Sequence, residues 1–343
     1  MALPGSGTIK FSDITDEFGT PSGKNLGAFR VSQTVGEKVF PLDDGIPQSG
    51  AISFSDFYSK KLTCVIDYHS GGAENRVQAP DQWNADAVSV IGGYRSKPSS
   101  VNATEWQGGK KIVIHVNKTI GSVNNSNADR CALRTGTWTG DTDLVIDIGG
   151  EGRLYGGGGA GGNGGNAPGG GATGTTGTSA LGIQYSGGTV VNIASGGVIQ
   201  RGFGGGGGGG GGHQHDKGST RYASGGGGGG GQGRPGGSGG SRGSGGNQGG
   251  NGSAGSVDAA GEGGGGSDNG GEAHGGPGGE GGWTGDDTAD SGGSGEDGGG
   301  GAGGGNGAAI RRASGVSEGS ITVNNNGTVN PNSNTTSAAT GVS

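Results

Sequence analysis

The residues best suited to chemistry sit in two short inserts between glycine runs. The first reads His213-Gln214-His215-Asp216-Lys217, with Arg221-Tyr222 shortly after it. The second reads Trp283-Thr284-Gly285-Asp286-Asp287. Two histidines at i and i+2 project from the same side of an extended strand, and imidazole is a ligand for zinc, iron or nickel. The flanks here are polyglycine and not the slender alternating strand such a site needs, so the pair is expected in a solvated loop and no metal is expected. Exposed Trp, Tyr and Arg are the usual anchors of a binding surface, and aromatic faces beside carboxylates suit sugars. His213, His215, Arg221, Tyr222, Trp283, Asp286 and Asp287 are therefore expected to contact a ligand. Adjacent carboxylates such as Asp286 and Asp287 do not straddle a glycosidic bond as paired-carboxylate hydrolysis requires. No nucleophile–base–acid set stands out elsewhere. The expectation is a non-enzyme with no catalytic residue and no cofactor.

Composition narrows the class. The chain has 343 residues, a net charge of −7 and a hydrophobic share of 27%. The charge argues against nucleic acid as a partner. The hydrophobic share argues against one large apolar core. No run of about 18 apolar residues is present, so no membrane insertion is expected. The start, Met1-Ala2-Leu3-Pro4-Gly5, has neither a basic segment nor an apolar run, and no secretory signal is expected. Cys64 and Cys131 are read as small buried hydrophobes, and His69 and His115, on or beside strands, as structural or surface residues. Between Arg242 and Arg311 there is no Lys or Arg, while ten acidic residues fall in that interval. That pattern is a solvated acidic face.

The elements that must carry the two inserts are made of glycine. Residues 151–307 hold 74 of the 97 glycines, and Gly204 to Gly212 is an unbroken run of nine. Collagen is excluded, because the glycines come in blocks and there are only 10 prolines. The alternatives are a flexible linker and polyglycine II, a left-handed helix of three residues per turn rising about 3.1 Å per residue. Such helices have no side chains to keep them apart. Each N–H and C=O can point sideways to a neighbour, which satisfies the backbone. The ordered lattice is the expectation, with non-glycine inserts at its ends, since a side chain inside would separate the helices.

Before the glycines come period-two runs. Leu62–Tyr68, Ala87–Ile91, Lys111–Val116 and Leu144–Ile148 read as strands. They predict a small β-sandwich with Trp83, Trp106 and Trp138 in its core or at its edges. Strand–turn–strand patterns at Leu144–Tyr155, Thr189–Phe203 and Ser320–Val329 predict short hairpins along the lattice. Pro331 to Ser343 reads as an extended tail. At the N-terminus, Ser6-Gly7-Thr8-Ile9-Lys10-Phe11-Ser12-Asp13 recurs as Ser49-Gly50-Ala51-Ile52-Ser53-Phe54-Ser55-Asp56. Each copy predicts a short strand followed by a helix N-cap, with helices over 13–18 and 56–61.

The paired motif, ending Ser55-Asp56-Phe57-Tyr58, resembles the N-termini of virion structural proteins of tailed bacteriophages. The glycine-rich part resembles the distal adhesins at the tips of T-even-like phage long tail fibres, in which stacked polyglycine II helices form a rigid core and the loops between them contact the receptor. The resemblance implies a mainly β chain with four parts. These are an attachment region (1–61), a β-sandwich-like domain (62–150), a polyglycine II lattice edged by short β-hairpins (151–307), and a terminal hairpin and tail (308–343). It implies a virion location on the phage tail, with other tail or virion proteins as partners of the N-terminal region. It also implies a host surface glycan or outer-membrane protein as the receptor, and a possible homotrimer. A structural tail or capsid decoration protein using the lattice as a spacer is the alternative.

Overall fold

The computed structural model describes residues 3–68, 74–75, 83–84, 90–91, 109–123, 126–216, 218–270 and 273–330. His69, Trp106, the 331–343 tail and the Trp83 side chain lie outside the described residues.

The N-terminal motif folds as two capped turns. In the first copy the Lys10 N–H donates to Asp13 Oδ2 (2.8 Å) and opens helix α1, Phe11–Phe18. In the second the Ser53 N–H donates to Asp56 Oδ2 (2.7 Å), but only a 3₁₀ turn, Phe54–Phe57, follows. The strands expected ahead of each cap do not form: Ile9 and Ile52 lie in irregular chain and pack inward from there. Phe18, Phe29 and Phe57 are fully buried and meet edge-on or tilted, with centroids 5.6–6.3 Å apart. Burying each such ring is worth about 1.5–3 kcal/mol. Glu17 ties this cluster to the body. It accepts from the Leu62 N–H (2.7 Å) and pairs with Lys110 Nζ (2.6 Å), and both charged side chains are buried. A hairpin follows α1, formed by β1 (Ser32–Val35) and β2 (Lys38–Pro41).

From residue 63 the chain winds as a parallel solenoid with three sides. The first coil is β3 (Thr63–Tyr68), β4 (Glu74–Asn75) and β5 (Trp83–Asn84). It is followed by β6 (Val90–Ile91), which pairs antiparallel with β3. The second is β7 (Lys111–Val116), β8 (Thr119–Gly121) and β9 (Cys131–Arg134). The third is β10 (Asp143–Ile148), β11 (Arg153–Tyr155) and β12 (Ser179–Ile183). The fourth starts with β13 (Thr189–Ile193) and β14 (Val198–Gln200), then leaves the solenoid through the hairpin of β15 (Gly212–Asp216) and β16 (Ser219–Ala223). It returns as β17 (Ile310–Arg312). The last coil gives β18 (Ile321–Asn325) and β19 (Thr328–Asn330). Each coil adds its strands in parallel to those of the coil before, so the first side reads β18-β13-β10-β7-β3-β6.

Register explains why these residues suit a solenoid. Ile66, Ile114, Ile146 and Val191 stack as one inward column, and Tyr68, Val116, Ile148 and Ile193 as another. All eight are buried. Flat rows of β-branched side chains fill a parallel sheet buried by its own coil. On the outer face the β1–β2 hairpin covers the neighbouring column: Val35 and Phe40 pack on Val65 and Val113.

The β-rich, multi-sheet expectation therefore holds. The expected hairpins along the lattice do not. β10 and β11 are consecutive but lie on different sides, and each pairs with strands of the coils before and after it. The turn between them is a solenoid corner, as is the one between β13 and β14, where Gly196 takes φ 88° close to the Gly150 carbonyl. A residue with a Cβ rarely adopts that φ. The sheets also run across the boundaries expected at 150 and 307, because β7 and β10 pair with β13 and β18 through the same stack.

Both glycine-rich excursions leave from one corner, 156–178 between β11 and β12 and 201–309 between β14 and β17. Their hydrogen bonds recur every third residue. Gly159, Gly162 and Gly165 donate to Phe203, Gly206 and Gly209, while Gly158, Gly161 and Gly164 donate to Pro235, Ser238 and Ser241. The 202–211 segment donates to segments 169–178, 224–234 and 288–295, and accepts from 156–166, 275–282 and 298–307. The 224–234 segment is likewise surrounded: it donates to 156–166, 249–256 and 275–282 and accepts from 202–211, 236–244 and 259–267. These two segments carry the longest glycine runs and are buried over 202–212 and 223–233. Outer segments place a side chain at every third residue on the open face, as at Ala160, Asn163 and Asn166, or Ser238, Ser241 and Ser244. Glycine loses the most entropy on ordering, and each backbone hydrogen bond returns a net of about 0.5–1.5 kcal/mol.

Candidate binding surface

Consecutive segments of the lattice run antiparallel, as in Ala172→Asn163, Gly206→Gly229, Gly278→Gly264 and Gly292→Gly301. Their connections therefore alternate between two ends. At the far end lie 167–168, the β15–β16 hairpin, 245–248, 268–270, 273–274 and 296–297. At the solenoid end lie 234–235, 257–258 and 283–287. Segments of eight to eleven residues join the two ends.

The far end gathers four of the expected residues. In the β15–β16 hairpin His213 pairs with Tyr222, Gln214 with Arg221, and His215 with Thr220. Cross-strand partners share a face, so both histidines and Tyr222 lie on one side of the ribbon and Arg221 on the other. The His213 and Tyr222 rings stack at 6.2 Å with 19° between planes. Tyr222 is 40% exposed. His215 Nδ1 meets Thr220 Oγ1 at 2.7 Å. Other loops hold the hairpin in place. Asp297 Oδ2 accepts from the His213 N–H at 2.7 Å and lies 2.7 Å from its Nδ1. That backbone N–H, helped by the ring, holds the Asp297 carboxyl below the ordinary range. The Tyr222 carbonyl accepts from the Asn247 N–H (3.0 Å) and from Asn269 Nδ2 (2.8 Å). Arg221 Nη1 donates to the Asn269 carbonyl at 3.4 Å.

Trp283, Asp286 and Asp287 lie at the opposite end. They form a tight turn closed by reciprocal backbone hydrogen bonds between Trp283 and Asp286. The Thr284 N–H donates to Gln232 Oε1 (2.8 Å), and Asp287 pairs with Arg201 (2.9 Å). The structure thus divides the expected surface in two. Sequence reasoning missed Asn247, Asn269 and Asp297, which position the hairpin. They are single polar residues in glycine-rich chain, brought to the tip only by the pairing of distant segments.

Among the described residues no group of three or more His, Cys, Asp or Glu is placed to hold a metal ion. Among them, too, no helix is long and apolar enough to cross a membrane. His115 is buried on the outer face of the first side. Its Nδ1 lies 2.8 Å from Asp147 Oδ2, and its ring meets Phe40 edge-on. Cys64 and Cys131 are free and buried. Burial pushes the Cys131 thiol up to about 12 despite the nearby Arg311 and Arg134. Trp138 packs on the solenoid core and donates from Nε1 to the Thr135 carbonyl (2.9 Å).

No family model matches the chain, and no curated protein matches it. A solved structure of the gp37-gp38 adhesin tip complex of the bacteriophage S16 long tail fiber is similar to it at 20% identity, over 80% of this chain and 84% of that one, with a TM-score of 0.27.

Proposed function

We propose that this chain is a phage tail-fibre or tail-tip adhesin that presents a receptor-binding tip at the end of a rigid polyglycine II spacer. The three-residue recurrence of hydrogen bonds and the two glycine segments enclosed by six others support the spacer. The observation that carries the reading is the far end itself. There the exposed Tyr222, stacked on His213, stands on a ribbon clamped by loops from separate segments. A pre-positioned aromatic anchor with Arg221 beside it is how binding energy is concentrated in a small surface. The ligand is a host surface glycan or outer-membrane protein. Residues 1–61 serve as the attachment end toward other tail proteins, and copies of the chain, as in a homotrimer, would add avidity.

The test is binding of the purified full chain to susceptible cells, beside Tyr222→Ala and His213→Ala variants whose unfolding temperatures match the parent. Saturable binding that weakens about tenfold or more in Tyr222→Ala, a typical loss for an aromatic anchor, is the expected result. Absence of binding by the folded parent would favour the structural virion component that uses the lattice only as a spacer.

A further inference from the structure

The turn at the solenoid end of the lattice contains one complete cation site and one incomplete one. In the complete site the Arg201 guanidinium lies 5.0 Å from the Phe203 ring centroid and pairs through Nη2 with Asp287 Oδ1 at 2.9 Å. Beside it, Trp283 and Asp286 repeat the aromatic and the carboxylate without the cation. Trp283 is 40% exposed. Its indole lies over Gly285, where a Cβ would collide with the ring, so the turn backs that part of the indole and the exposure falls on the remainder. Asp286 Oδ1 accepts from the Thr288 N–H (3.1 Å) and hydroxyl (2.9 Å), which fixes the carboxylate, and Asp286 is the antiparallel bridge partner of Trp283 across the turn. The same hydrogen bonds hold it below the ordinary carboxylate range. Among the described residues no Lys or Arg pairs with Asp286 and none lies over Trp283. Exposed Glu280 and Asp290 adjoin the turn on neighbouring segments. The absence of Lys and Arg between Arg242 and Arg311 leaves the surrounding charge unmet from within this stretch.

We propose that Trp283 and Asp286 form a docking surface for an arginine side chain of a partner protein. The guanidinium packs on the exposed part of the indole and presents its planar N–H fork to the carboxylate, and the chain already holds the same grouping of ring, guanidinium and carboxylate at Phe203, Arg201 and Asp287. A neutral sugar would use the ring and leave the local negative charge unmatched. The surface lies at the opposite end of the lattice from the tip, so it is a lateral contact independent of receptor binding.

Fluorescence anisotropy with a labelled Gly-Arg-Gly-Arg-Gly peptide, beside its citrulline counterpart, tests this on the full chain. The arginine peptide binds saturably and the neutral citrulline peptide binds more weakly. Trp283→Ala weakens the arginine peptide by about two- to fivefold, the range for a solvent-exposed cation–π contact, and Asp286→Asn by a similar factor. Tyr222→Ala leaves it unchanged. Equal binding of the two peptides, no saturable binding up to millimolar concentration, or an unchanged Kd in Trp283→Ala overturns the assignment.

Discussion

A methyl group built on Gly207 would overlap the Gly301 carbonyl, whereas one built on Gly265 meets no heavy atom within 4 Å. Both are glycines in long runs, and nothing local separates them. Gly207→Ala is therefore expected to lower stability by about 1–3 kcal/mol through overpacking. Gly265→Ala should be neutral, or stabilising by about 0.4–1 kcal/mol, because it restricts the unfolded chain. Thermal unfolding of the two variants decides this, and equal effects would count against a close-packed lattice. Asp147 gives a second expectation at this scale. Burial raises its carboxyl, but hydrogen bonds from His115 and Lys38 outweigh it, and the net shift is downward. A depressed folded value contributes stability that is present above the unfolded pKa and lost as pH falls through the folded one. Asp147→Asn should thus destabilise at neutral pH, with the gap to the parent closing below about pH 4. Chemical denaturation at pH 7 and pH 3 measures both.

At the scale of elements, the strands were legible and their partners were not. Lys111–Val116 and Leu144–Ile148 fall where alternation predicts them, give or take a residue. Alternation reads the same in a hairpin and in a solenoid side, and a parallel partner more than thirty residues away leaves no local mark. The corner at Gly149–Gly152 carries the same glycines that a hairpin turn would. The glycine segments were legible for the opposite reason: only residues enclosed on all sides must lack a side chain, so the run lengths themselves mark the centre of the lattice. The tip was half legible. The hairpin residues stand out by type, but Trp283 belongs to the other end, and that depends on how many segments the chain makes before reaching it. The Glu17–Lys110 pair joins α1 to the start of β7 and was invisible in sequence. Lys110→Met should cost about 3–5 kcal/mol by removing the cation from the buried Glu17 carboxylate, and Glu17→Leu combined with it should recover much of the loss. Urea unfolding of the single and double variants checks this. A single variant as stable as the parent would show that the pair does not anchor the helix.

For the whole molecule, the sideways hydrogen bonds matter most. Each central segment meets its six neighbours through residues that recur every third position. Deleting one glycine from Gly204–Gly212 would turn every later donor in that segment toward the wrong neighbour. Deleting three would return each to a correct one and draw the hairpin inward by a single turn. The three-residue deletion should therefore unfold at a higher temperature than the one-residue deletion, although it removes more chain. Calorimetry of the two makes the comparison, and the reverse order would contradict the threefold repeat. The glycine-rich body then has no continuous range of lengths. Variants that lengthen or shorten it must do so by three residues at a time, in all ten segments together if the far end is to keep its shape. Insertions of one or two residues are confined to the loops at either end.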